Sequence, residues 1–270
     1  MTARAAAVRE DGFLRAGGKR LEYARWAAAG EGAPTLVFLH EGLGSVSLWR
    51  DFPARAAQAT GCGALAYSRA GYGRSDPGPG PWGVDFMHRE AEVLPEVLDA
   101  AGVGDAVLVG HSDGASIALI HAGSAPSPRL RALALLAPHV FVEDVTVASI
   151  ARLAEACRTT DLPARFARHH GANTAALLDA WTGIWLAPEF RAWNIEEHLP
   201  RIEVPVLVVQ GEADEYGTAR QVEAVRRGVS GPVRALLLPG AGHSPHRDAP
   251  EAVLAALAAF VAEPGAREVP

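Results

Sequence analysis

The sequence predicts an α/β fold with a mostly parallel, doubly wound sheet, and three observations support this prediction. Short, continuously apolar and β-rich runs, such as residues 35–39, alternate with helix-like runs, such as residues 49–60. A strand that is buried on both faces has this apolar composition, and strands that alternate with helices are typical of βαβ units. A length of 270 residues also fits one large domain of this class.

The predicted elements follow one another in a regular order. An opening hairpin comes first, with strands at 13–14 and 21–26 and a turn at Gly17 and Gly18, since glycine tolerates tight-turn conformations. The later strands are predicted at 35–39, 63–67, 106–109, 130–137, 204–209 and 233–238, and the helices at 49–60, 84–101, 115–120, 218–229 and 251–262. This order favours a sheet with helices on both faces.

The alternation of strands and helices stops between residues 138 and 200. This segment is helical and loop-like in composition, and it carries three of the six tryptophans. We interpret it as an insertion of helices that lies as a cap over the carboxyl edge of the sheet, so that residues 1–137 and 201–270 form the core. The tryptophans either line a pocket beneath this cap or bury a small core of the cap itself.

Composition and charge are those of an ordinary globular protein. Hydrophobic residues make up 49% and charged residues 21% of the sequence, and the net charge of −6 argues against a general affinity for nucleic acid. No apolar run is long enough to span a membrane, and residues 1–12 lack the apolar centre of a secretory signal. Cys62 and Cys157 lie far apart without metal-type spacing, so we expect reduced thiols and a cytoplasmic protein. The sequence allows a homo-oligomer.

A serine between two glycines follows the strand predicted at 106–109. Gly110, Ser112 and Gly114 form the pattern G-x-S-x-G between this strand and a helix-like run. Because the glycines have no Cβ, strand and helix can approach closely around a strained serine whose hydroxyl points out of the backbone. The first helix amides lie beside it and can stabilise an oxyanion, which favours an acyl-transfer nucleophile. A serine here is also an ordinary helix N-cap, so the motif alone does not decide.

A serine nucleophile needs a base and an orienting acid, and the ends of two predicted strands supply them. Asp214 follows the last strand but one, and His243 lies in a glycine-rich loop after the last strand. The carboxyl ends of parallel strands meet at one edge of the sheet, so we expect Ser112, Asp214 and His243 to converge there. Glu212 is the alternative acid, although spacing favours Asp214. His246 is the alternative base, but its place further along the chain favours a pocket wall or the surface.

Further motifs give the chain a resemblance to the α/β-hydrolase fold superfamily from residue 12 to residue 262. The motifs that carry it are His40-Glu41-Gly42, Gly71-Tyr72-Gly73-Arg74-Ser75, the serine motif and the loops of Asp214 and His243. The resemblance implies an eight-stranded sheet, a helical cap after the sixth strand and Ser-His-Asp hydrolysis of an acyl bond. It also implies an oxyanion hole formed by the amides of Gly42 and Asp113. Members of the superfamily most often have glycine where this chain has Glu41, which places a carboxylate near the pocket mouth.

The substrate is the feature that the sequence determines least. The elbow Gly-x-Ser-Asp-Gly resembles that of the valacyclovir hydrolase (biphenyl hydrolase-like) group, in which the acid resembles a binder for a substrate amino group. Asp113 and Glu41 would then suit a cationic ester, whereas the alternative is that Asp113 hydrogen-bonds the backbone of the cap or a loop. Arg69 and Arg74 would either recognise a carboxylate or form ion pairs within their own loop. The candidate pocket residues are Glu41, Trp49, His139, Phe141, Trp181, Trp185, Trp193 and Tyr216.

The sequence thus predicts a cofactor-free serine hydrolase that acts on an ester, or a related acyl bond, of a small molecule. Its histidines have no metal-ligand spacing such as H-E-x-x-H, so no metal is expected. The same scaffold serves C–C bond hydrolases, lactonases and thioesterases, and the triad does not separate these activities. A non-catalytic sensor or binding protein that kept the fold is the alternative of a different class, because fold does not determine function. Neither nucleic acid nor a membrane is expected as a partner.

Overall fold

The structure is a computed structural model and describes residues 8–78, 80–124 and 127–263. The prediction that residues 1–12 lack a secretory signal therefore concerns a segment that lies largely outside the described residues. In the described ranges, none of the helices combines the length and the apolar character that crossing a bilayer would need.

Eight strands in the described part of the chain form one sheet, which confirms the predicted fold class. The strands are β1 (Arg9–Ala16), β2 (Lys19–Trp26), β3 (Thr35–Leu39), β4 (Gly63–Tyr67), β5 (Ala106–His111), β6 (Leu130–Leu136), β7 (Val206–Gly211) and β8 (Val233–Leu238). Their order across the sheet is β1-β2-β4-β3-β5-β6-β7-β8. The β1–β2 hairpin pairs antiparallel with β4, and the remaining neighbours are parallel. Strands β3 to β7 are buried almost throughout, as their apolar sequences require.

Helices cover both faces of the sheet. They are α1 (Phe52–Thr60), α2 (Phe86–Ala100), α3 (Asp113–Ser124), α4 (Asp144–Thr159), α5 (Leu162–His170), α6 (Thr174–Leu186), α7 (Ala219–Gly228), α8 (Pro245–Asp248) and α9 (Pro250–Val261). One apolar cluster buries α1 and α9 against one face of the sheet, and a second cluster buries α2, α3 and α7 against the other. The helix predicted from residue 49 begins only at Phe52, because a 3-10 turn (Val46–Trp49) precedes it and Arg50 has a positive φ of 54°.

The segment between β6 and β7 holds α4, α5, α6 and three 3-10 turns, Gly171–Asn173, Pro188–Ala192 and Glu196–Arg201. Trp181 and Trp185 of α6 and the following Trp193 are buried in the same apolar cluster as α2 and α3. Trp193 stacks on Phe190, and Trp185 meets Phe190 edge to face. Phe190 in turn contacts Phe86 of α2, outside this segment. These tryptophans therefore pack the helical segment onto the rest of the molecule and do not bury a separate small core. The division into a core and a cap at residues 138 and 200 stays a prediction.

Candidate active site

Ser112 lies in a sharp turn between the carboxyl end of β5 and the start of α3. Its φ of 52° falls in the left-handed region, which is strained for a residue with a side chain. The turn requires a close approach, because a Cβ on Gly114 would lie only 2.1 Å from the carbonyl oxygen of Leu39. Only glycine fits between α3 and the end of β3, so the local sequence explains how the serine hydroxyl is presented at the carboxyl edge of the sheet.

Three side chains from separate strand ends form one hydrogen-bonded chain at this edge. His243, in the loop after β8, has Nε2 2.9 Å from the Oγ of Ser112. Its Nδ1 lies 2.9 Å from both carboxylate oxygens of Asp214, which follows β7. The structure thus brings together the three residues that were predicted to converge. Glu212 is exposed, and His246 is buried against Trp49 and Phe52 rather than at the pocket wall or the surface, so neither alternative occupies these positions.

The surroundings of Asp214 favour its ionised form. Its Oδ1 accepts hydrogen bonds from the backbone amides of Tyr216 at 2.8 Å and Gly217 at 3.1 Å, and its Oδ2 accepts one from the side-chain amide of Gln210 at 2.9 Å. Burial raises the pKa of Asp214, but the hydrogen bond and charge of His243, together with the amide of Tyr216, outweigh burial and hold the pKa below its usual value. A carboxylate in this state favours the imidazole tautomer with the proton on Nδ1, which leaves Nε2 free to accept the serine proton.

The loop after β3 is held in place by a buried arginine. Arg69 donates hydrogen bonds from Nη1 to the carbonyl of His40 at 2.7 Å and from Nη2 to the carbonyl of Glu41 at 3.2 Å. The backbone amide of Arg69 donates to Nε2 of His40, so Nδ1 of that ring donates to the carbonyl of Glu41 at 2.8 Å. Arg69 thus holds the carbonyls of His40 and Glu41, and the next residue, Gly42, lines the cavity that contains Ser112 and Asp113. A Cβ on Gly42 would lie 2.0 Å from the indole nitrogen of Trp181.

Arg69 and Arg74 were expected either to recognise a substrate carboxylate or to form ion pairs within their own loop, but their polar partners lie outside that loop. Arg69 is 1% exposed and engages the loop of Gly42, and its guanidinium stacks over Tyr72. Arg74 forms an ion pair with the buried Glu22 at 2.7 Å. Neither lines the cavity that contains Ser112, so recognition of a substrate carboxylate by either residue has no support.

The cavity around Ser112 and His243 has a volume of about 200 Å³. Its walls include five of the predicted pocket residues, namely Glu41, His139, Trp181, Trp185 and Tyr216. Burial and the charge of His243 lower the pKa of His139 to about 3, so this ring is neutral near pH 7. The apolar wall also includes residues that sequence reasoning missed: Leu43, Leu48, Ile150, Leu153 and Phe166. In the sequence, only the apolar faces of the predicted cap helices could have indicated Ile150, Leu153 and Phe166.

The structure does not place the three other predicted wall residues in this cavity. Trp49 is 2% exposed and packs against Phe38 and Phe52 in the apolar layer beneath α1. Phe141 pairs with Asn194 in an isolated bridge and lies under the guanidinium of Arg220. Trp193 packs within the buried cluster already described. Trp49 and Trp193 thus bury their large rings in apolar packing, whereas the half-buried Phe141 lies against Arg220.

Asp113 follows Ser112 and is fully buried, and one of its carboxylate oxygens accepts no hydrogen bond among the described residues. Its Oδ2 accepts a hydrogen bond from the indole nitrogen of Trp181 at 2.9 Å, whereas Oδ1 accepts no hydrogen bond of ordinary geometry among the described residues, although the indole of Trp185 also lies near the carboxylate. Burial raises the pKa of Asp113, although the charge of Arg69 opposes this effect. The alternative expectation was a hydrogen bond to the backbone of the cap or a loop, whereas the partner of Oδ2 is the side chain of Trp181. Oδ1 is thus a buried acceptor without a hydrogen bond, in a residue that lines the cavity.

The sequence comparison identifies the family. A family model described as the alpha/beta hydrolase family matches residues 36–256, which is most of the chain. The chain is a member of the alpha/beta hydrolase family. The resemblance inferred from the sequence motifs is thereby confirmed.

Two relatives match part of this chain in sequence. Human serine hydrolase BPHL is 27% identical over 190 residues, which cover 67% of this chain and 63% of that protein. A putative carbamate hydrolase RutD from Azorhizobium caulinodans is 38% identical over 106 residues, which cover 39% of this chain and 38% of that protein. The chain therefore matches less than two thirds of the length of these relatives.

The structural comparison supports the fold of this alpha/beta hydrolase. A hydrolase from Pseudomonas aeruginosa PA01 superposes with a TM-score of 0.73 over 94% of this chain and 99% of its own, at 23% identity. At this level of identity the similarity concerns the fold, and function has to be argued from the site.

Proposed function

We propose that this alpha/beta hydrolase cleaves an ester, or a related acyl bond, of a small molecule through a triad of Ser112, His243 and Asp214. The observation that carries the proposal is the 2.9 Å separation between Oγ of Ser112 and Nε2 of His243, whose other nitrogen faces the buried carboxylate of Asp214. A serine hydroxyl becomes nucleophilic only when a base takes its proton, and these atoms lie within the distance that the transfer needs.

The proposed reaction has two stages. In the first, Oγ of Ser112 attacks the carbonyl carbon, His243 takes the hydroxyl proton, and Asp214 stabilises the resulting imidazolium. The amides of Gly42 and Asp113 would donate to the tetrahedral oxyanion, a contribution of about 2.7–4 kcal/mol for each donor. His243 then gives its proton to the leaving alcohol, and an acyl-enzyme on Ser112 remains. In the second stage water attacks this acyl group with His243 again as base, and the acid is released.

The substrate class that we propose is an ester with a cationic amino group near the acyl carbonyl. Its support is Oδ1 of Asp113, a buried carboxylate oxygen that accepts no hydrogen bond among the described residues and belongs to a residue that lines the cavity beside Ser112. Such an oxygen is costly to leave without a donor, and an ammonium group supplies one together with a compensating charge. Glu41 does not share this role, because its two oxygens face His111 and Arg247. The small cavity volume favours a compact acyl group.

Covalent labelling separates the enzyme from a non-catalytic binding protein. We expect a fluorophosphonate probe to label the wild type on Ser112, and Ser112→Ala to lose both the label and esterase turnover. A folded wild type that resists the probe would favour the binding protein. A panel of nitrophenyl esters, amino-acid esters, lactones, thioesters and carbamates then identifies the bond. The carbamates are included because of the relative named as a putative carbamate hydrolase.

A further inference from the structure

Glu41 makes an interior contact that connects two loops of the candidate active site. Its Oε2 lies 3.4 Å from Nδ1 of His111, the residue that precedes the nucleophile, and its Oε1 lies 3.3 Å from Nη2 of Arg247. The side chain of His111 is fully buried and that of Glu41 is 20% exposed. Burial raises the pKa of Glu41, but His111 and Arg247 outweigh burial and hold the pKa well below its usual value. Glu41 is therefore a carboxylate that faces the buried imidazole.

The opposite side of the His111 ring reaches the loop of the general base. Its Nε2 lies 2.7 Å from the backbone carbonyl oxygen of His243. A carbonyl oxygen only accepts hydrogen bonds, so Nε2 of His111 carries a proton, and the contact of Nδ1 with Glu41 is an ion pair when Nδ1 carries a proton as well. The rings of His111 and His243 lie 5.3 Å apart between centroids, so the contact is made beside the reacting imidazole.

We infer that Glu41 and His111 form a positioning pair that fixes the general base relative to the oxyanion-hole loop. The inference rests on the proposed function. At one end, the backbone carbonyl of Glu41 is held by Arg69 and His40, next to Gly42. At the other end, His111 holds the main chain of His243. The pair thus ties the donor of the oxyanion hole to the base that must act on the same carbonyl group.

The loop of His243 needs such a tether. It lies between Gly240, which has a positive φ of 74°, and the short helix α8, and loops of this kind move more than strands. Backbone hydrogen bonds hold the start of the loop at Ala241, but closer to the imidazole the amide of His243 donates to the exposed Glu215 at 3.2 Å and that of Gly242 to the exposed Asp248 at 2.8 Å. A displacement of about 1 Å at a catalytic group lowers the rate up to about 100-fold, so a buried tether has a direct effect on turnover.

The test compares Glu41→Gln, His111→Gln and His111→Leu with the wild type. Hydrolysis of p-nitrophenyl acetate is measured, and the concentration of competent sites is titrated with a fluorophosphonate probe. We expect kcat per titrated site to fall about 10- to 100-fold in His111→Leu with KM within about twofold. His111→Gln retains a donor for the carbonyl and is expected to lose less. The double variant Glu41→Gln/His111→Leu is expected to be no slower than His111→Leu, because both changes break the same connection.

A surface variant serves as the control for this test. Glu223→Gln changes a surface carboxylate that pairs only with Arg226 and Arg227 in the described ranges, and it should leave kcat unchanged. An unchanged kcat in His111→Leu, or independent losses in the double variant, would overturn the inference while the proposed function stands. A wild type that neither hydrolyses the ester nor reacts with the probe would overturn the proposed function itself. If His111→Leu does not fold, Glu41→Gln decides, since it keeps the size of the side chain: a lower kcat with KM within about twofold supports the inference, and an unchanged kcat overturns it.

Discussion

The buried Oδ1 of Asp113 leads to a prediction about substrate choice. The perturbation is Asp113→Asn, which removes the charge while an amide oxygen can still accept from the indole of Trp181, as Oδ2 does at 2.9 Å. The backbone amide that we assign to the oxyanion hole is unaffected by this change. The substitution therefore separates recognition of an ammonium group from the chemistry at Ser112.

The magnitude follows from the burial of the carboxylate. A hydrogen bond to a charged group contributes about 1.5–3 kcal/mol, which corresponds to about 10- to 150-fold in kcat/KM. We expect the wild type to prefer the p-nitrophenyl ester of alanine over that of isobutyric acid by this factor, because the two acyl groups differ by an ammonium in place of a methyl group. In Asp113→Asn the ratio should approach one, while the rate with the isobutyrate ester stays within about threefold.

The assay is a pair of initial-rate series at pH 7, corrected for spontaneous hydrolysis. The preference should disappear as the pH falls through the raised pKa of Asp113, and again as it rises through the amine pKa of about 7.7–8.0. Asp99→Asn is a matched control, since Asp99 is a surface residue paired with Arg129. Equal kcat/KM values for the two esters in the wild type, or an unchanged ratio in Asp113→Asn, would refute the reasoning.

Three further predictions concern the triad and the fold. Asp214→Asn should lower kcat about 10⁴-fold, because the amide no longer selects the tautomer of His243; a burst assay that shows near-normal acylation would contradict this. The pKa of Asp214 is lower in the folded state than in the unfolded state, so its carboxylate contributes stability that is complete above the unfolded pKa of about 3.9. This stability is lost as the pH falls through the folded-state pKa. In urea unfolding, the difference in free energy of unfolding between the wild type and Asp214→Asn should therefore shrink as the pH decreases from 6 to 3. Gly114→Ala should destabilise the fold by about 1–3 kcal/mol, since its Cβ meets the carbonyl of Leu39, whereas Gly104→Ala, which meets nothing within 4 Å, should change Tm little.

Much of the fold follows from patterns that are local in the chain. Buried strands such as β3 and β5 are continuous apolar runs, and the strand–helix alternation gives a parallel sheet through ordinary crossover connections. The elbow at Ser112 also follows locally, because Gly110 and Gly114 remove the Cβ atoms that would prevent close approach. The positions of Asp214 and His243 could be predicted because the carboxyl ends of parallel strands share one edge.

Other features depend on contacts between residues far apart in sequence. The aromatic ring of Trp49 lies beneath α1 because Phe38, Phe52 and His246 surround it, and no property of residue 49 alone distinguishes that place from a pocket wall. The apolar residues of α4 and α5 reach the cavity only through the packing of those helices, whose amphipathic pattern indicates a buried face but not its partner.

Short-range periodicity and backbone sterics are enough to predict the α/β class, the elbow of Ser112 and the chain order of its candidate partners. The roles of the carboxylates, in contrast, depend on contacts in the folded molecule. The tertiary structure engages Glu41 with His111 and Arg247, and it leaves one oxygen of Asp113 without a hydrogen bond in the described residues. The physical reason is that the state of a buried charge depends on the groups that surround it in space, and those groups come from distant parts of the chain.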